Sequence, residues 1–215
     1  MIGVWAGRKR RVALWRSQPA TLTLGGKDVY VWRATLNQTA AQAQSLLHTL
    51  AADELARARR FYFQRDRERF FVARGVLRSI LSCYLDTEPS QLRFGYSSYG
   101  KPALAQNTGR NAIRFNASHS HELALVTVTR GRELGVDIER ICAEVANEQI
   151  AERFFSPRKV VRLRSLPTDT QTEAFFHCWT RKEAYIKARG EGLSLPLDQF
   201  DVSLVPGEPA ALLST

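Results

Sequence analysis

Cysteine is scarce in this chain: three among 215 residues, at Cys83, Cys142 and Cys178, far apart and in no C-x-x-C spacing. That excludes a disulfide framework and a zinc site, and fits a reducing cytoplasm. Long hydrophobic runs are missing too; none approaches the ~20 residues of a membrane span. The opening MIGVWAGRKRRVALW has its charges after a short apolar start, with no h-region behind them, which argues against a secretory signal. Acids are absent from residues 1–27, where Arg8, Lys9, Arg10, Arg11, Arg16 and Lys27 supply +6 of a net charge of +10. The cheapest reading of 1–28 is a disordered basic arm. There is no G-x-S-x-G elbow, no zinc-finger or RNP pattern, and no stacking series of aromatics between the basic residues.

What is present is an ordinary globular composition, 44% hydrophobic and 24% charged, long enough for one large domain or two small ones. VYVWRAT (29–35) alternates like an opening strand. AADELARARRFYF (51–63) reads as a helix, and DRERFFVARGVLRSILSCYL (66–85) as a longer one with apolar residues near the 3.6 period. Within 53–78 eight arginines face four acids, a surface suited to phosphates or an acidic partner. The second half begins the same events again: EQIAERFFS echoes DELARARRFYF, and EAFFHCWTRKEAYIKARG echoes the long helix. Two similar α+β halves are expected, 29–140 and 141–215, with a ligand cleft where they meet. The second copy is expected to lack closing strands equivalent to those around 112–139.

Three stretches carry chemistry. In LGVDIER (134–140), after the strand-like ELALVTVTRG, a returning strand would put Asp137 and Glu139 on one face, roughly 6–7 Å apart, within reach of one divalent cation. A solvated strand face is the bland alternative. In WTRKEAYIKARGEG (179–192), Glu183 and Lys187 are i, i+4 neighbours on a largely apolar helix. They make either a surface ion pair or a third carboxylate for an oxygen-rich Mg²⁺ site, while Arg181 and Lys182 read as solvated. NASHS (116–120) offers Ser118 and His119 to a phosphate, or simply a turn cap and a packed ring. Adjacent residues on an extended segment point to opposite faces, so a Ser-His-Asp hydrolase is rejected. Lys101, in YGKP, is a further phosphate contact or a solvated loop lysine.

In order, the S-H pair, GVDIE and WTRKEAYIKA form a highly specific combination, supported by RRFYF, RGVLRSIL, YGKP and RFF. The chain resembles the Sfp-like 4′-phosphopantetheinyl transferases over about residues 29–205, and looks most like their cyanobacterial heterocyst-glycolipid branch. The resemblance implies an α+β fold of two pseudo-twofold-related halves, each a small antiparallel sheet packed on a long helix, enclosing coenzyme A and Mg²⁺, with Mn²⁺ as the alternative ion. It implies transfer of the phosphopantetheine arm of coenzyme A to a carrier-protein serine, releasing adenosine 3′,5′-bisphosphate. Asp137, Glu139 and Glu183 would be the metal ligands, Glu183 also a candidate base, and Lys187 a neighbour of the transferred phosphate. Ser118 and His119 would bind coenzyme A phosphates, with Arg57 and Lys101 as further contacts. Glu54 stands where some members have a basic residue. The implied partners are acidic acyl or peptidyl carrier proteins of fatty acid, polyketide, glycolipid or nonribosomal peptide synthases, approached by a cytoplasmic monomer without specific nucleic acid or membrane binding. A module of the same fold that binds carrier protein or coenzyme A without transfer is the competing expectation, and a basic nucleic-acid binder the third.

Overall fold

Alternation makes VYVWRAT a strand: in β3 (Val29–Thr35), Trp32 and Ala34 are buried while Arg33 is exposed. Residues 2–6, 16–17, 22–146 and 148–215 are described by the computed structural model of the chain. Five strands make one antiparallel sheet in the order β2-β1-β3-β7-β6, with β1 Ile2–Ala6, β2 Arg16–Ser17, β6 Ile113–Ser120 and β7 Leu123–Arg130. The expectation of a basic arm over 1–28 is corrected in part, since the apolar IGVWA pairs along β3 instead of standing free. Residues 7–15 and 18–21 lie outside the described residues. The strand pair that frames NASHS is β6 with β7, not β7 with residues 134–139.

The buried face of the sheet meets α3 (Gln64–Leu85) through Val72, Val76, Leu77, Ile80 and Leu81, which share a core with Trp32, Phe115, Val126 and Val128. Burying each such side chain contributes about 1.5–3 kcal/mol. The Trp32 indole N–H donates to Tyr84 Oη at 2.8 Å, so the ring has a polar partner where it enters the core. Two short helices, α1 (Ala40–Leu47) and α2 (Ala52–Ala58), precede α3. A single helix over 51–63 does not form: α2 ends at Ala58, and Phe61, Tyr62 and Phe63 are exposed in the turn that follows. Three consecutive aromatics cannot all lie on one helical face. A short hairpin, β4 (Phe94–Tyr96) with β5 (Pro102–Leu104), lies beside β6.

The second half has its own core. There α4 (Glu148–Phe154), α5 (Pro157–Arg164) and the 22-residue α6 (Thr168–Arg189) gather Phe155, Phe175, Cys178 and Ile186 around Leu197, Phe200 and Leu204. Like α3, which also has 22 residues, α6 is the long helix of its half. The expected lack of closing strands is corrected: β8 (Asp201–Val202) and β9 (Leu212–Ser214) form a small antiparallel hairpin, and Val202 and Leu204 turn into the core. Lys182 and Arg181 are not solvated as expected. Lys182 is fully buried, donates to the carbonyls of Leu197 and Phe200, and lies 4.2 Å from the Phe200 ring centroid. Burial lowers its proton affinity, although its acceptors and the ring favour the cation. Arg181 donates to the Ser203 carbonyl at 2.7 Å. Both side chains therefore tie α6 to the segment that follows it. The architecture is α+β, helices with three small antiparallel sheets among the described residues.

Candidate active site between the two halves

Residues 132–140 leave β7 without joining any sheet, so the returning strand expected at 134–139 is absent. Side chains of β6 replace the backbone ladder. The Val136 N–H donates to Asn116 Oδ1 at 2.9 Å, and the Arg140 N–H to Ser120 Oγ at 3.0 Å. Ser118 Oγ–H donates to Asp137 Oδ1 at 2.8 Å, and Ser120 Oγ–H to Glu139 Oε2 at 2.9 Å. Arg114 adds an ion pair to Glu133 at 3.5 Å. Positions 114, 116, 118 and 120 alternate and so share one face of β6. Asp137 and Glu139 consequently face the same way, as the alternation argument required, although the backbone that holds them is not a strand. Asn116 and Ser120 join the site unannounced by any motif; their signal in the sequence is a small polar residue at every second position of FNASHS.

Helix α6 approaches this segment as closely as backbones can. A Cβ on Gly135 would lie 1.9 Å from the Ala184 carbonyl oxygen and 2.5 Å from the Ala188 nitrogen, so only glycine fits there. That approach brings Lys187 Nζ to 2.6 Å from Asp137 Oδ1 and 3.0 Å from Ser118 Oγ. The Asp137 side chain is 2% exposed, and its Oδ2 is buried with no hydrogen-bond partner. Glu183, one turn before Lys187, is half-buried; desolvation, then the neighbouring Asp137 charge, raise its proton affinity. Burial raises that of Glu139 as well, against the Ser120 hydrogen bond. The two glutamates and Asp137 thus feel one another across the seam between the halves.

Among the described residues, no three His, Cys, Asp or Glu side chains are gathered tightly enough to hold a metal ion as they stand. Lys187 takes one Asp137 oxygen, and like charges oppose closer approach of the carboxylates. The donor set nevertheless suits a hard dication: every candidate ligand is a carboxylate oxygen, and the orphaned Asp137 Oδ2 is already out of water.

Beside these groups lies a cleft of about 390 Å³ lined by Arg57, Phe70, Ser118, His119, Glu139 and Lys187. Arg57 lies over the Phe70 ring, 5.6 Å from its centroid. Five of the residues singled out in the sequence therefore border one cavity, with Asp137 behind it. Lys101 does not: its ammonium donates to Glu133 at 2.7 Å and to the Ala188 carbonyl at 3.0 Å, so the expected phosphate contact is engaged elsewhere. Glu54 is also no phosphate-facing position. It is 2% exposed and accepts from Arg74 Nε and Arg78 Nε, both at 2.7 Å. Part of the arginine cluster is thus internal, since Arg78 is 1% exposed and its guanidinium also donates to the Pro89 and Leu92 carbonyls.

Two family models match the chain: "4′-phosphopantetheinyl transferase, N-terminal" over residues 32–130 and the "4′-phosphopantetheinyl transferase superfamily" over 133–213. The carboxylate-bearing segment falls in the second match, although side chains from the first pin it in place. The 4′-phosphopantetheinyl transferase HetI of Nostoc sp. is 46% identical over 92% of this chain and 83% of its own length. A 4′-phosphopantetheinyl transferase of Bacillus subtilis is 33% identical over 77% of this chain and 71% of its own, and Sfp of the same species 34% over 72% and 66%. Similarity of that extent, with family matches over residues 32–130 and 133–213, establishes that the chain belongs to the Sfp-type 4′-phosphopantetheinyl transferases, near the HetI branch.

Proposed function

We propose that the cleft between the halves binds coenzyme A and that the enzyme transfers its phosphopantetheine arm to a serine hydroxyl of an apo carrier protein, releasing adenosine 3′,5′-bisphosphate. The observation that carries this reading is the buried, partnerless Asp137 Oδ2 beside Lys187, with Glu139 and Glu183 near enough for its charge to add to the desolvation that raises their proton affinity. Asp137, Glu139 and Glu183 are the residues that would hold Mg²⁺, or Mn²⁺ in its place. The ion, when bound, supplies positive charge to the diphosphate oxygens.

The chain's own residues do the rest. Lys187 holds Asp137 and Ser118 with two of its three N–H donors and keeps the third for the transferred phosphate, where negative charge develops. Ser118 relays between Lys187 and Asp137 while bordering the cleft. His119, on the next position of β6, and Arg57 offer donors to the further phosphates of coenzyme A. Glu183 accepts the proton of the carrier serine as its oxygen bonds to phosphorus and the bond to the nucleotide phosphate breaks. Such a transfer is chiefly positioning and charge neutralisation, which this constellation provides.

The pseudo-twofold relation of the halves belongs to the same proposal, supported by two helices of equal length and two separate cores. Exposed Arg57, Arg59, Arg60, Arg65 and Arg67 give an acidic acyl or peptidyl carrier a reason to approach this side. A monomer in the cytoplasm completes the reading. It is consistent with a chain of only three cysteines in no C-x-x-C spacing and with the absence, among the described residues, of any helix long and apolar enough to cross a membrane. The test is to incubate the protein with coenzyme A, Mg²⁺ and several apo carrier proteins and weigh the carriers. A gain of one phosphopantetheine arm that vanishes with EDTA supports transfer. No gain, with coenzyme A still bound, supports a non-catalytic binding module instead.

A further inference from the structure

Lys101 stands where a phosphate contact was expected, yet every acceptor it meets belongs to the protein. Its ammonium donates to Glu133 Oε2 at 2.7 Å, to the Ala188 carbonyl at 3.0 Å and to the Leu134 carbonyl at 3.5 Å. These acceptors lie on opposite sides of the seam. Glu133 and Leu134 open the segment that carries Asp137, and Ala188 is in the last turn of α6, which carries Glu183 and Lys187. Carbonyls of a last turn have no partner within the helix, and the negative end of the helix dipole favours a cation there. The Lys101 side chain is 17% exposed whereas Glu133 is 59% exposed, so the bonds to the two carbonyls are the ones shielded from competing water. Its stem also fits closely against Gly190, the left-handed residue that ends α6: a Cβ there would lie 3.1 Å from Lys101 Cδ. On the other side of Leu134, Gly135 touches Ala184 and Ala188 backbone.

We propose that Lys101 is a positioning residue: it clamps the C-terminal turn of α6 onto the 133–135 segment and thereby sets the distance between Lys187 and Asp137. The clamp acts at one end of the contact and the Gly135 approach in the middle. Together they leave α6 no freedom to slide along the segment. The geometry separates this role from phosphate binding, because a lysine spending its donors on two carbonyls and a carboxylate has none to give a ligand.

The activity readout rests on the transferase reading, whereas hydrogen exchange does not. Compare wild type, Lys101→Met and Lys101→Arg. For Lys101→Met, amide exchange in residues 184–190 accelerates while that of α3 is unchanged. With carrier and coenzyme A saturating, kcat falls about tenfold or more, and KM for coenzyme A changes less than about twofold, as expected when catalytic groups lose register without losing a ligand contact. Lys101→Arg, which keeps the charge and can still reach both carbonyls, recovers most of the protection and rate. A rise in KM for coenzyme A with kcat retained overturns the clamp in favour of a phosphate contact. Unchanged exchange at 184–190 overturns it outright, whatever the activity. Should wild type transfer nothing to any carrier, the functional reading fails, and the exchange result alone decides the clamp.

Discussion

Replacing Glu54 by alanine removes the acceptor on which two arginines of α3 converge. Glu54 is 2% exposed, Arg78 is 1% exposed, and Arg74 retains 14% of its side-chain surface. In Glu54→Ala the Arg78 cation stays inside with the Pro89 and Leu92 carbonyls and the Phe94 ring but no counter-charge, while Arg74 can still turn toward Tyr96 Oη and solvent. Breaking a buried pair by deleting one partner costs about 3–5 kcal/mol, because the surviving charge is left uncompensated. Against a total stability of about 5–15 kcal/mol, that is a large fraction. A chain of this size loses about 2–4 °C in Tm per kcal/mol, so the midpoint should drop by roughly 6–20 °C. Urea unfolding followed by tryptophan fluorescence measures the loss directly, provided the m value is unchanged. The double variant Glu54→Leu with Arg78→Met should recover part of the loss, because it removes the stranded cation as well as its partner. A loss below about 1 kcal/mol for Glu54→Ala would refute the reasoning, since that is the scale of an exposed pair.

Glu183→Gln should leave stability near wild type and reduce transfer as severely as loss of Asp137, measured by carrier mass; Glu139→Gln should be milder, because water can replace one ligand of a hydrated ion. Gly135→Ala puts a methyl group into the α6 backbone, where its Cβ would be 1.9 Å from the Ala184 oxygen, so α6 must shift. Overpacking costs about 1–3 kcal/mol, and a displacement near 1 Å costs roughly a hundredfold in rate; single-turnover kinetics would show it. Burial pushes the Cys178 thiol up to about 12, so the thiolate is absent at pH 8, while Cys83 is exposed and Cys142 partly so. Iodoacetamide should therefore label Cys83 and Cys142 in the folded protein and reach Cys178 only after denaturation or as the pH climbs toward that value, read by peptide mass.

Local pattern was enough for β3 and α3, because each has a buried face whose period shows in the letters, and α6 was legible as an echo of α3. The shared direction of Asp137 and Glu139 was also legible, since any extended backbone alternates. What pairs with an extended segment is a long-range fact. GVDIE has strand-like residues but is held by Asn116, Ser118 and Ser120 side chains, and nothing in its own five letters distinguishes that from a ladder. The same limit hid Glu54, which looks like a helix-start acid until Arg74 and Arg78 are folded around it 20 and 24 residues later. Lys182 read as solvated because a lysine beside a glutamate on a helix usually is; its burial depends on carbonyls 15 and 18 residues away. The residues themselves offered Glu183 as a third carboxylate for Asp137 and Glu139, the family resemblance narrowed that choice to metal ligands, and the structure supplied the reason that Lys187, Ser118 and Gly135 accompany them.

The most direct test of the central claim is the mass of an apo carrier protein after incubation with coenzyme A, Mg²⁺ and Asp137→Ala, whose fold is checked by circular dichroism. The account predicts an unmodified carrier beside a wild-type control that adds one phosphopantetheine arm, because the lost carboxylate is the one that both Lys187 and the ion require. A variant that modifies the carrier at the wild-type rate would contradict it.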